Sequence, residues 1–334
     1  MKDPKFDLLA IGNAIVDVLA QTDEAFIEHQ QKMNGMVKGS MTLIDEMRAV
    51  ELYGQMPPGI ESSGGSAGNT IAGFASFGGK GAYIGKVAQD QLGDVFRHDL
   101  KAQGVVFNTQ PLAIGAPTAR CLILVTPDGQ RTMNTYLGAA VELSQIDIDE
   151  DLVSSAKITY MEGYLFDPPQ AKEAFRVASE LAHKAGRKVA LSLSDPFCVN
   201  RHREDFQVFV ENHVDILFAN EHEAMSLYET SNFEETVDAL KGVCEIIVIT
   251  RSAQGSVIIA GDKIIEVPAE PVSKVVDTTG AGDQYAAGFL YGYTRGNSLD
   301  VCGRLASMAA AEVISHMGPR PNMKYADFLK RAAA

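Results

Sequence analysis

Through its C-terminal two-thirds the chain alternates short apolar runs with longer amphipathic ones, and no other feature constrains the fold as much. KITYMEGY (157–164) reads as a buried strand. QAKEAFRVASELAHKAG follows as a helix, with Phe175, Ala178, Leu181, Ala182 and Ala185 on one stripe and Gly186 at its C-cap. KVALSLS, DILFA and EIIVIT repeat the strand pattern, with charged helical segments between them. Strands that alternate with helices are joined by crossovers, so they lie parallel with helices on both faces. The predicted fold is a doubly wound, mainly parallel α/β sheet. Ligands gather at the carboxyl ends of such strands, and each motif is weighed by whether it falls there.

The N-terminal third differs. TARCLILVTPDGQRTMNTYLGAA (118–140) is two β-rich runs joined by Pro127-Asp128-Gly129, a hairpin signal. With GMVKGSMTLID (35–45) it predicts a small β-rich lid contributed by roughly residues 14–45 and 117–138. No internal repeat, low-complexity tract or long linker interrupts residues 1–334, so a single domain carrying a lid is expected.

Composition narrows the classes of function. The chain has 46% hydrophobic and 22% charged residues, enough apolar material for a large core. A net charge of −14 argues against a nucleic-acid partner. Cys121, Cys198, Cys244 and Cys302 lie far apart with no C-x-x-C pair, so reduced thiols are expected rather than a zinc knuckle or a disulfide framework. Asn13 and Asp17 break the apolar run Leu8–Ala20 that would otherwise suggest a signal peptide, and Asp3 and Asp7 stand where a positive region should be. No segment reaches the roughly 18 apolar residues of a membrane helix. A cytoplasmic protein without a membrane partner is expected.

DTTGAGD (277–283) opens a helix-like run, QYAAGFLYGY. Gly280 and Gly282 permit a sharp turn and a close backbone approach, and the helix start adds unpaired N–H groups and a positive dipole end. That combination forms an anion hole. An ordinary glycine turn with an N-cap would account for the glycines but not for Asp283. An acceptor-only carboxylate beside an anion site makes sense when it takes the proton of a hydroxyl attacking phosphorus. A dinucleotide-binding dehydrogenase is disfavoured, because IGNAIVD offers a single glycine after the first strand.

DTTGAGDQYAAGF resembles the C-terminal signature of the ribokinase-like (PfkB) carbohydrate and nucleoside kinases, and GGSAGNTIAGFASFGGKGAYIGKVAQDQLGD (64–94) resembles their second signature. The resemblance runs from about Asp7 to Arg320. It implies Asp283 as catalytic base, with the amides of Thr279, Gly280, Ala281 and Gly282 around the transferred phosphate. It assigns Asn13, Asp17, Gly64, Gly65 and Asn69 to sugar hydroxyls; a carboxylate and an amide together suit a vicinal diol. In NEHE, Asn220 and Glu223 match the element that organises Mg²⁺ through water near ATP, and oxygen ligands suit that ion. His222 between them pairs with no second histidine and is read as a bystander.

Alternation places Arg131 on one strand face with Met133, Thr135 and Leu137. An exposed hairpin arginine is the ordinary outcome; the resemblance implies one that reaches the phosphate, where its planar fork fits. TRSAQG (250–255) departs from the family's T-x-G-x-x-G nucleotide loop. Thr250 and Gly255 match, Ser252 replaces the first glycine, and Arg251 adds a charge that a nucleotide phosphate could meet. LSLSDPF, VDILFANEHEA and QRTMNTYLGAA resemble the members acting on adenosine, and Met133, Leu137, Tyr164 and Leu165 could line a purine slot or simply form the lid's own core. A free sugar is the alternative acceptor, and a sensor without catalysis is disfavoured by the intact Asp283, Gly280 and Gly282. The resemblance leaves a monovalent cation open, and leaves monomer or homodimer open.

Overall fold

The computed structural model describes residues 3–332. Nine strands form the main sheet, in the spatial order Lys263–Val267, Ser256–Ala260, Ile246–Thr250, Ile216–Asn220, Lys188–Ser192, Ala156–Glu162, Phe6–Ile11, Gly81–Ile84 and Val106–Phe107. Every pair from Ile246–Thr250 to Val106–Phe107 is parallel, and the last two strands by sequence add an antiparallel edge. The doubly wound sheet expected from the sequence is therefore observed.

Alternate residues of each strand enter two different cores. Leu9, Ile11, Met161, Leu191, Leu217 and Ile249 pack on one face, whereas Leu8, Ala10, Tyr160, Ala190, Phe218 and Val248 pack on the other. Burial on both faces is why these strands read as unbroken apolar runs. The helix Pro169–Lys184 begins with a proline in its first turn and buries Ala171, Ala174, Phe175, Ala178, Ser179 and Ala182. It stops where Gly186 takes φ +68, a conformation costly for other residues. Among the described residues no helix is long and apolar enough to cross a membrane, and all four cysteines are free.

A second sheet of five strands is ordered Met41–Leu43, Arg131–Tyr136, Ala119–Val125, Ile15–Gln21 and Ile60–Ser63. The hairpin read from Pro127-Asp128-Gly129 joins Ala119–Val125 to Arg131–Tyr136; Ile60–Ser63 is an addition the sequence did not suggest. One face carries Val18, Leu122 and Leu124 against Ile27 and Leu52 of the helices Glu24–Asn34 and Glu46–Gln55. The opposite face groups Cys121, Ile123 and Val125 with Ile15, Leu19 and Met133. Having no helices of its own, that face looks toward the carboxyl ends of the main sheet across a cavity of about 1610 Å³.

Candidate active site

Asn13, Glu162, Ser192, Asn220 and Thr250 stand at the carboxyl ends of five adjacent strands, and all line the cavity. Glu162, which the sequence reading did not single out, ties two of these ends together. Its Oε1 accepts from the Asn13 backbone N–H at 2.8 Å and from Asn13 Nδ2 at 2.7 Å; its Oε2 accepts from the Ala67 N–H at 2.7 Å. Burial pushes its carboxyl up to about 7 despite those donors. The available signal was an acid ending an otherwise apolar strand.

Asp17 comes from the facing sheet and shares its cavity side with Ile15. Its carboxylate lies so close to Gly64 that a Cβ there would stand 2.4 Å from Oδ2, and at Gly65, φ +78, a Cβ would stand 2.3 Å from the Asn13 carbonyl oxygen. The two glycines thus let a carboxylate and a carbonyl press against the start of the helix Ser66–Ser76. Gly64 supports Asp17 from behind and is not itself a wall of the cavity. Asp17 accepts no hydrogen bond from the described residues. Burial pushes it up to about 6, with Arg320 and Arg131 pulling down.

The helix Ala281–Thr294 starts at Gly280, held at φ +77, where a Cβ would meet Pro319 O at 2.6 Å. Asp277 braces this turn. Its Oδ1 accepts from the Thr279 N–H at 3.0 Å and the Thr279 hydroxyl at 2.8 Å, and its Oδ2 accepts from the Gly318 N–H at 2.8 Å. The Thr279 amide is therefore engaged within the protein, and the Ala281 amide reaches Thr278 O at 3.3 Å. Those of Gly280 and Gly282 find no acceptor among the described residues. Gly282 lines the cavity, and a Cβ there would meet nothing within 4 Å. The protein itself does not require that glycine.

Asp283 occupies the first turn. The Ser66 hydroxyl donates to its Oδ1 at 2.6 Å and the Asn69 amide to its Oδ2 at 3.0 Å. Burial pushes the carboxyl up to about 6, opposed by those two donors and by the charge of Arg320. Ser66 and Arg320 are further residues the sequence reading missed; nothing local marks them.

Arg131 reaches across from the second sheet. Its Nη1 donates to Thr279 Oγ1 at 3.0 Å and its Nη2 lies 2.6 Å from Asp277 Oδ2. It is nearly buried, and its Nε has no acceptor among the described residues. An exposed hairpin arginine is thereby ruled out.

Asn220 and Glu223 form a reciprocal cap on the helix Glu221–Tyr228. Asn220 Oδ1 accepts from the Glu223 N–H at 2.9 Å, while Glu223 accepts from the Asn220 N–H at 2.9 Å and from Nδ2 at 2.6 Å. A capping box by itself explains that spacing. It does not explain why Glu223 is 6% exposed beside the charges of Asp195 and Asp283. Burial first, then those two carboxylates, push it up to about 7. A hydrated divalent cation fits such a deficit of positive charge. No group of three or more His, Cys, Asp or Glu among the described residues could hold an ion alone, so phosphate oxygens and water would complete its shell. His222 is exposed.

Besides the engaged Thr279 and Ala281 amides and Gly64, which lies behind Asp17, two more sequence expectations need correction. Leu165 is fully buried in the main core and is absent from the cavity wall, which its neighbour Tyr164 does line. Arg251 does not line the cavity either: its guanidinium lies 3.7 Å over the Phe233 ring and 3.3 Å from Glu221. Thr250, Ser252 and Gly255 do line it, and Ser252 takes φ +51, the left-handed conformation that a glycine would supply freely.

The sequence family described as pfkB family carbohydrate kinase matches residues 47–325. The solved structure of the adenosine kinase from Sinorhizobium meliloti is 52% identical, with a TM-score of 0.91, and the match covers 99% of this chain and 100% of that one. A probable sugar kinase protein from Rhizobium etli CFN 42 is 50% identical with a TM-score of 0.92, covering 99% of each chain. The adenosine kinase of Saccharomyces cerevisiae is 27% identical over 336 residues, 93% of this chain and 96% of that protein.

Proposed function

This chain belongs to the pfkB family of carbohydrate kinases, enzymes that move a phosphoryl group from ATP to an alcohol, and from that premise we propose that its acceptor is the 5′-hydroxyl of adenosine. The observation that carries the choice is the cavity face of the second sheet, where Ile15, Ile123, Met133 and Leu137 surround Asp17, with Asn13 and Asn69 contributed by the main domain. A purine needs apolar cover and a ribose diol needs a carboxylate with an amide; a free sugar needs only the second. At about 1610 Å³ the cavity exceeds the 300–1,000 Å³ typical of one small ligand and has room for two. The name of the Sinorhizobium meliloti relative agrees with this acceptor.

The second sheet acts as a lid on a single catalytic domain. Asp17 and Asn69 grip the ribose diol, and Gly65 and Asn13 close its edge. The 5′-oxygen attacks the γ-phosphorus as its proton passes to Asp283, the bond to the β-bridging oxygen breaks, and ADP leaves with that electron pair. The Gly280 and Gly282 amides at the helix N-terminus receive the charge that develops on the phosphoryl oxygens. Arg131, poised beside Thr279, turns its unsatisfied Nε to the same group. Asn220 and Glu223 would hold Mg²⁺ through water, where the ion neutralises phosphate charge. Thr250 and Gly255 border the nucleotide.

The test compares kcat/KM for adenosine, 2′-deoxyadenosine and ribose in an ADP-release assay with Mg·ATP. Loss of one diol hydroxyl removes a hydrogen bond to a charged group, roughly 1.5–3 kcal/mol. Loss of the base forfeits apolar cover at about 25 cal/mol per Å². Ribose should be the poorest acceptor, with 2′-deoxyadenosine intermediate. Ribose or fructose outperforming adenosine would overturn the assignment and leave a sugar kinase.

A further inference from the structure

Arg320 sits where the C-terminal segment crosses the start of the helix Ser66–Ser76. Its Nε donates to Asn69 Oδ1 at 3.2 Å, its Nη1 to the Ser63 hydroxyl and its Nη2 to Gly64 O at 3.5 Å. The segment that carries it is pinned to the anion loop and its helix: the Gly318 N–H donates to Asp277 at 2.8 Å, and Pro319 O accepts from Gln284 Nε2 at 3.0 Å. A Cβ at Gly68 would stand 3.3 Å from Arg320 Nη2. Ser63, Gly64, Gly68 and Asn69 are thus shaped around one arginine remote in sequence.

The direction of these bonds carries the consequence. An asparagine amide offers an acceptor on one side and two hydrogens on the other. With Oδ1 taken by the guanidinium, Nδ2 is the atom that faces Asp283, and it donates to Oδ2 at 3.0 Å. Turned over, the amide would set oxygen against carboxylate and nitrogen against guanidinium. We propose that Arg320 is a positioning residue for phosphoryl transfer: it fixes the Asn69 amide so that Asp283 meets a donor and remains an ionised proton acceptor. The second Asn69 hydrogen is then free for a hydroxyl of the ribose diol. This inference rests on Asp283 acting as the base.

The charges around the pair agree with the geometry. Burial raises both Asp283 and Asp17, and Arg320 pulls both down. Arg320 is itself depressed by burial to about 10, against the pull of Asp17, Asp99, Tyr83 and Asp283. The remaining groups coupled to Asp283 are Asp17, Glu162, Glu223, Tyr160 and Tyr164, all acids that its charge raises; Arg131 acts on Asp17.

The experiment measures kcat against pH, at saturating Mg·ATP and acceptor, for wild type, Arg320→Met and Arg320→Lys, with thermal unfolding of each. Protonation of ATP is common to all three, so differences in the acid limb belong to the enzyme. Arg320→Met should lower kcat at pH 7 by about tenfold or more and move the acid limb upward by about one pH unit, the size of a close charge's effect. Arg320→Lys, which keeps the charge, should hold the limb near that of wild type while kcat still falls. A folded Arg320→Met with the wild-type limb, or an Arg320→Lys shifted as far as the methionine variant, would overturn the proposal and leave Arg320 a structural tie. Should Arg320→Met not fold, Arg320→Gln decides on the acid limb alone: it keeps a neutral donor for Asn69 but removes the charge, so its limb should move upward, and an unmoved limb would overturn the proposal. Asp283→Asn runs alongside: if it keeps most of its kcat, the base assignment fails and this inference with it, an outcome distinct from an unmoved limb in the Arg320 series.

Discussion

Replacing Gly282 by alanine should raise stability and lower activity together. A Cβ at Gly282 would meet nothing within 4 Å, and the residue lies in the first turn of Ala281–Thr294 without a positive φ. Alanine in a helix is favoured over glycine by roughly 0.5–1 kcal/mol, so the ligand-free variant should melt no lower than wild type and as much as a few degrees higher. The same methyl would project into the cavity where the Gly282 amide faces the transferring group. If it displaces that contact, the loss is one hydrogen bond to a charged group, roughly 1.5–3 kcal/mol, or about ten- to a hundredfold in kcat. The assays are thermal unfolding without ligand and steady-state ADP release. A lower melting temperature would mean that the fold itself requires the glycine. An unchanged kcat would remove residue 282 from the anion hole.

Asp283→Asn should cut kcat by about 10²–10⁴-fold while ATP still binds, as expected for a lost general base; kcat within a few-fold of wild type would refute the role. Arg131→Lys keeps the charge but loses the fork, and should lower kcat more than it raises KM, whereas Arg131→Ala should also melt lower because it strips Asp277 of its cation. Kinetics of both variants within twofold of wild type would leave Arg131 a purely structural partner of Asp277. Asp17 and Asp283 are raised to about 6 and Glu162 and Glu223 to about 7, so the folded state binds more protons than the unfolded chain between their ordinary values and these. Stability without ligand should therefore rise as pH falls from 7 toward 5, with His213, depressed by burial, opposing it, while kcat falls over the same interval. A melting temperature that drops steadily from pH 7 to pH 5 would contradict the buried carboxylates. Ser252→Val forces a β-branched residue to φ +51 and should cost about 1–2 kcal/mol, whereas Ser252→Gly should not; equal unfolding midpoints would refute the strain.

The features legible in the sequence are those set by local periodicity and backbone conformation. Apolar runs such as Ile216–Ala219 and Ile246–Ile249 read as buried strands, because every successive residue is apolar. The left-handed turn at Gly280 and the hairpin at Asp128-Gly129 announced themselves through glycine, and alternation placed Arg131 and Met133 on one face of their strand before any contact was known. The site's remaining partners join residues far apart in the chain. Glu162 reaches Asn13 and Ala67, Ser66 reaches Asp283, and Arg320 reaches Asn69 across 251 positions. No periodicity encodes such pairings; they exist only once the strand ends and helix starts have been packed side by side. Orientation within a short turn was equally hidden. Tyr164 and Leu165 are neighbours in one 3-10 turn, Gly163–Phe166, yet one lines the cavity and the other fills the core. Arg251 had two partners to choose between, a phosphate or its own Phe233 and Glu221, and the fold placed the latter within reach. Local sequence determined which backbone could form, and tertiary packing decided which side chains met, because desolvation and hydrogen bonding act on neighbours in space rather than in sequence.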